Sequence, residues 1–292
     1  MFDSPDAPPW QTIPVLYEDA QLLAVAKPAG MVTHPAYRHP DGTLADAIFA
    51  RQAARGAERP WLLHRLDRDT SGVILFARTM PARRSLVRQF ERRMVRKLYL
   101  AVVALYGGAI LMRDGSWGEL SGPLRRDPAD RRRVIVAADG QAATTRYRLL
   151  AIAPVGDPGG ALTVPAAASA VRGTVDSFGL ALVAPQTGRT HQIRAHLATA
   201  GAPLLGDATY VPPESPVRAL APRCMLHAWR LAFRYPGTGE PFTIAASPPD
   251  DLLAVVLRLG LRDGMAPETL SGAATDVANC LETTPGSDEP TT

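Results

Sequence analysis

Cysteine and lysine are the scarce residues of this 292-residue chain. The two cysteines, Cys224 and Cys280, lie in dissimilar surroundings with no CxxC pair, which argues against a disulfide framework and against a thiolate zinc cage. Lysine occurs at only two of the 32 Lys and Arg positions, Lys27 and Lys97. In a chain so committed to arginine, these mark places where a slim ammonium fits and a planar guanidinium does not. No uninterrupted apolar run reaches the roughly 18 residues of a membrane span. The N-terminus, MFDSPDAPPW, is acidic and proline-rich rather than basic and then apolar. These absences predict a soluble, cytoplasmic protein without a membrane partner.

What is present is a sizeable apolar fraction, 46%, enough for a large core, and an uneven charge. From Asp263 onward there are six acidic residues and no basic one, so residues 1–262 carry +10 within a chain total of +4. A basic body suits a polyanion, with nucleic acid ahead of a membrane surface because no Lys-rich amphipathic helix stands out.

The order of elements predicts an α+β fold. IPVLYEDAQLLAVAKPAG reads as two short strands about a Glu18-Asp19 turn. MPARRSLVRQFERRMVRK reads as an amphipathic helix with Thr79 as N-cap, Pro81 in the first turn and Leu86, Phe90 and Met94 on its inner face; the other faces are largely arginine. KLYLAVVAL, RRVIVAA, ATTRYRLLAIA and FGLALVAP have strand composition, and they do not alternate with helices as a βαβ repeat would. Residues 1–11 read as a flexible lead-in, 12–262 as one folded domain, and 263–292 as a flexible acidic tail. The small-residue stretch 155–173 reads as an insert without chemistry.

Two constellations carry chemistry. HRLDRDTSG precedes the apolar run VILFAR, so its charges sit on a loop entering a central strand, a common position for reactive groups. On spacing alone the same residues also fit a turn capped by Asp67 or Asp69, or a carboxylate pair of the glycosidase or nuclease kind. PQTGRTHQIRAHLATAGAPLLGDATY places Arg189, His191, Gln192 and Arg194 about the first turn of a helix capped by Thr190 and ended by Gly201, a setting that favours anions. His191 and His196 are five apart, which does not match the i, i+4 spacing of a metal-binding helix face. In RKLYL, Lys97 and Tyr99 share one strand face.

Together, HRLDRDTSG, RKLYLAVV and TGRTHQIRAHLATAGAPLLGDATY, with AKPAG, GPLRRDPADRRR and MLHAWRLAFRYPGTGEPF in order between and around them, resemble the RluA family of RNA pseudouridine synthases from about Ile13 to Asp251. The resemblance implies a mixed, largely antiparallel sheet flanked by helices around a central cleft. It implies isomerisation of uridine to pseudouridine in structured RNA, 23S rRNA or tRNA, by a monomer that needs no cofactor and no metal. Position by position, Asp67 matches the nucleophilic aspartate, Tyr99 the tyrosine stacked on the target uracil, and Arg194 the arginine paired with the aspartate. Arg65 matches the arginine that displaces the target base, and His64, Lys97, Arg189, His191 and Gln192 complete the expected RNA- and uridine-binding set. No segment before Ile13 is long enough for the S4-type RNA-binding domain that some members carry. A catalytically silent RNA-binding or chaperone protein on the same scaffold is the competing expectation.

Overall fold

The computed structural model describes residues 12–35, 40–156, 175–272 and 275. The lead-in, most of the 155–173 insert and most of the acidic tail lie outside the described residues.

The chain enters as a hairpin, β1 (Val15–Glu18) and β2 (Leu22–Lys27), followed by α1 (Leu44–Ala54), a short β3 (Trp61–Leu62) and β4 (Ser71–Ala77). Then come α2 (Met80–Glu91), the long β5 (Arg96–Tyr106), three short strands β6 (Gly118–Ser121), β7 (Leu124–Arg126) and β8 (Val134–Val136), and β9 (Thr144–Pro154). β10 (Val175–Pro185), α3 (Gln192–Thr199), α4 (Pro216–Ala219), β11 (Leu226–Arg234), β12 (Pro241–Ala245) and α5 (Asp250–Arg258) complete it. One ten-stranded sheet runs β1-β2-β4-β11-β5-β10-β9-β6, with β12 on β11 and β3 on β4. Every pairing in it is antiparallel except β4 with β11. The sheet is therefore mixed and mostly antiparallel, the α+β class expected.

Strand period and burial explain why the middle strands are apolar throughout. In β5, Val102, Ala104 and Tyr106 face a core that includes Leu252, Val255 and Val256 of α5, while Ala101, Val103 and Leu105 face Ile193 and Leu197 of α3. β4 is buried along its whole length. Its Val73 and Leu75 pack with Ala82 and Leu86 of α2, and Ile74 and Phe76 pack with Leu44 and Ile48 of α1. Each such side chain contributes about 1.5–3 kcal/mol, so β4 is a firm base for the loop that precedes it.

Two local expectations need correcting. Thr79 does cap α2, accepting from Ala82 N–H at 3.3 Å, but the helix stops at Glu91. Arg93 turns left-handed (φ 57°), and Met94 lies beyond the helix, 38% exposed. The packed body also continues past Arg262: a 3-10 turn, Arg262–Met265, follows, and Met265 and Leu270 pack on the core. Apolar residues at 265 and 270 hold onto the sheet what the acidic composition assigns to a free tail.

Candidate active site

Gly72 fixes how the HRLDRD loop meets the sheet. At the start of β4 the chain pairs in parallel with β11, Ser71 against His227 and Gly72 against Ala228. Gly72 takes φ 120°, and a Cβ built there would collide with the backbone of Ala228. Only glycine combines that backbone with so close an approach.

Above it, residues from two distant stretches of the chain, 27–33 and Arg223, grip the loop by its carbonyl groups. Thr33 Oγ1 donates to Leu66 O (2.8 Å) and accepts from Leu66 N–H (3.2 Å). Lys27 Nζ donates to Arg68 O (2.9 Å) and to Pro28 O and Met31 O (both 2.7 Å). Arg223 Nη1 donates to Asp69 O at 3.1 Å, its own charge answered by Asp251 at 2.6 and 2.9 Å. Lys27 is 1% exposed, and burial draws its ammonium down to about 7 against the pull of Asp69 and Asp67. Its three carbonyl acceptors match the three N–H donors that one ammonium carries. Ser71 Oγ bonds His227 Nδ1 at 2.9 Å, and His227 Nε2–H reaches Ala246 O at 3.0 Å. Burial holds this imidazole neutral, lowering its pKa to about 4.

The opposite side is the turn into α3. Thr190 does not cap this helix. The N-cap is His191, left-handed at φ 51° and without a side-chain cap. Gln192 ties the turn before the helix to β9: its Oε1 accepts from Thr187 Oγ1–H (2.6 Å) and Arg189 N–H (3.1 Å), and its Nε2 donates to Thr144 O (2.9 Å) and Thr145 Oγ1 (3.0 Å). That uses the full capacity of the amide. Gln192, expected among the RNA contacts, therefore serves to hold the turn. His196 is pinned likewise, to Thr145 Oγ1 (2.9 Å) and Gly122 O (3.0 Å), and burial lowers its pKa.

Asp67 and Arg194 meet between the two sides. Arg194 Nη1 donates to Asp67 Oδ2 at 3.2 Å, while its Nε and Nη2 donate bidentately to Asp207 at 2.8 and 2.7 Å. Burial works against the Arg194 charge, but Asp207 more than reverses that and raises its pKa. Asp207, 1% exposed, is stabilised as an anion against its own burial by Arg194 and by the N–H groups of Thr209 and Tyr210. The guanidinium is thus anchored at its back and presents one N–H to Asp67. His191 Nε2 lies 3.8 Å from Asp67 Oδ2, and its ring stands edge-on to Tyr210 at 5.9 Å between centroids.

All nine site residues named from sequence line one cleft of about 480 Å³. Tyr99 lies in its wall, with its phenol pKa raised by burial and then by the Asp67 charge. His64 accepts from Leu75 N–H at 3.1 Å and tilts against Phe90; burial and Lys97 hold it neutral, lowering its pKa to about 3. Lys97 Nζ reaches Thr187 O at 3.4 Å, whereas Arg65 and Arg189 are exposed at the mouth. Among the described residues no group of three or more His, Cys, Asp and Glu side chains could hold a metal ion. Thr33, Asp207, Tyr210 and Arg223 had no role in the sequence reading. The run GDATY did hold a signal for Asp207, since an aspartate two and three residues before free N–H groups forms a local turn.

Residues 21–199 match the family model described as RNA pseudouridylate synthase. A protein of Chloroflexus aurantiacus named "Uncharacterized RNA pseudouridine synthase" is 40% identical over 80% of this chain, which spans 65% of that protein's length. "Ribosomal large subunit pseudouridine synthase D" of Xanthomonas campestris is 38% identical over 83% of this chain and 68% of its own length. The solved structure "Human RNA Pseudouridylate Synthase Domain Containing 1" has the same fold, with a TM-score of 0.66 at 22% identity over 98% of this chain and all of that one. With the family model covering more than half of its length and relatives at this level of identity, the chain belongs to the RNA pseudouridylate synthase family.

Proposed function

We propose that this protein isomerises uridine to pseudouridine in RNA, with Asp67 as the carboxylate that acts on the target nucleotide. The observation that carries this reading is the Asp67–Arg194–Asp207 arrangement at the floor of a basic cleft. The reaction breaks the bond from ribose carbon 1 to uracil nitrogen 1, turns the base and joins carbon 5 in its place. The proton on carbon 5 is lost and nitrogen 1 gains one, so the sum is neutral and no cofactor is required. Asp67 acts ionised in each of three routes: attack on the ribose, attack on the ring, or removal of a ribose proton towards a glycal. The Arg194 N–H at 3.2 Å aims the carboxylate.

The uracil leaves its stack at a cost of a few kcal/mol. Tyr99, kept as the neutral phenol, gives the flipped ring a flat face. Arg65 occupies the space the base leaves, His64 and the neighbouring wall bound the pocket, and Lys97, Arg189 and His191 face the backbone of the RNA. Because relatives carry the name ribosomal large subunit pseudouridine synthase, large-subunit ribosomal RNA is the first substrate to test, and tRNA the second.

The test is Asp67→Asn, which removes a charge and little volume. Pseudouridine formation on large-subunit rRNA should fall by at least about 10³-fold, while RNA affinity stays within about threefold. Normal turnover by the variant would overturn the assignment. Failure of the parent protein to form pseudouridine in either RNA would instead favour a silent binder.

A further inference from the structure

The outer face of α2 carries a second basic feature, separate from the cleft. Arg84, Arg88 and Arg92 recur every four residues and are all exposed, so each stands about 6 Å further along the helix axis. They form one wall of a groove of about 550 Å³. The facing wall is the β11–β12 hairpin, with Arg234, Gly237, Thr238 and Gly239. Among the described residues no acidic side chain lines this groove. Glu91 turns the other way, into the cleft.

The two walls are locked together. Gln89, 7% exposed, donates from Nε2 to Arg234 O and accepts at Oε1 from Arg234 N–H, both at 2.8 Å. Arg234 Nη1 is set by Gly239 O at 3.0 Å. Four guanidiniums are thereby gathered on a rigid frame without a carboxylate among them in the described residues, an arrangement that repels in itself and is relieved by a polyanion. The spacing of the row is close to the step between successive phosphates on one nucleic-acid strand. The groove also leads to the cleft: Phe90 and Glu91 at the end of the same helix, and the left-handed Arg93 after it, line the cleft wall.

Resting on the RNA reading above, we propose that this groove holds the phosphodiester backbone of the RNA strand flanking the target nucleotide. The Arg84→Gln, Arg88→Gln, Arg92→Gln triple variant of the full chain tests it, with large-subunit rRNA as the probe across a salt series. Three lost phosphate contacts should lower the slope of log affinity against log salt by about 2–3 and weaken binding at low salt by about tenfold or more. The loss should appear in KM and not in kcat, and the matching Arg→Lys triple should restore the slope. An unchanged slope and affinity in the Gln triple, with its thermal midpoint preserved, would overturn the groove. Binding is scored apart from isomerisation, so a parent protein that binds rRNA but forms no pseudouridine would refute the proposed function and leave this measurement valid.

Discussion

The two sides of the cleft are held by different means. The HRLDRD loop is held through its backbone: Thr33, Lys27 and Arg223 seize the carbonyls of Leu66, Arg68 and Asp69. The turn into α3 is held through its own side chains, with Gln192, Thr187, His196 and Arg194 each bonded inward. On the first side Arg65 and Asp67 are left to face the cleft, and the backbone of the loop depends on distant donors. On the second, positions that look like ligand contacts are structural, and changing them removes the wall itself. One device is shared, since each side has a buried neutral histidine pinned between a hydroxyl and a backbone carbonyl.

The contrast can be broken most sharply at Asp207. Asp207→Asn removes the anchor behind Arg194 and leaves a buried guanidinium with a single carboxylate, so stability should fall by about 3–5 kcal/mol in denaturant titrations, with activity lost as Arg194 turns from Asp67. A loss below about 1 kcal/mol with full activity would show that the second side does not depend on this pair. Next is Lys27→Met, which leaves three carbonyls without their donor and should cost about 3 kcal/mol. Lys27→Arg should not restore it, although it keeps the charge, because all three acceptors are met by one ammonium nitrogen. Full rescue by arginine would mean that charge, rather than shape, holds the first side.

The smallest effect tests the shared device. His227 binds its proton at about 4 in the folded chain and at 6.5 without its surroundings. Between those values the unfolded state holds the extra proton, so stability falls as pH drops, by about 2 kcal/mol at pH 5 for this one residue. His227→Gln should flatten that part of the stability curve. A curve that keeps its slope in the variant would remove His227 as the cause.

Much of this was readable in the sequence because its signals are local. VILFAR read as a buried strand since consecutive apolar residues need both faces covered, and β4 is buried at all seven of its positions, Ser71–Ala77. The cleft residues were readable through motif order. What escaped was long-range polar pairing. Nothing in the neighbourhood of Thr33 or Arg223 announces that each will hold a carbonyl 33 or 154 residues away. The start of α3 was misread for a related reason: Thr190 has capping chemistry, but the left-handed His191 is the N-cap and the turn is held by Gln192 reaching across to Thr144 and Thr145. The length of α2 was overestimated because helical spacing of Met94 cannot show that Arg93 turns left-handed.

The place of β11 in the sheet sets an order on synthesis. β11 lies between β4 and β5, although both precede it in the chain by well over a hundred residues. The strands that carry Asp67's loop and Tyr99 can pair early with β2, β3 and β10, but they are not joined to each other until Leu226–Arg234 has been made and inserted between them. Non-local pairing of this kind is slow to form and keeps strand edges open in the meantime. A nascent chain still short of β11 carries Asp67 but no finished cleft, so the cleft closes only after most of the protein has left the ribosome.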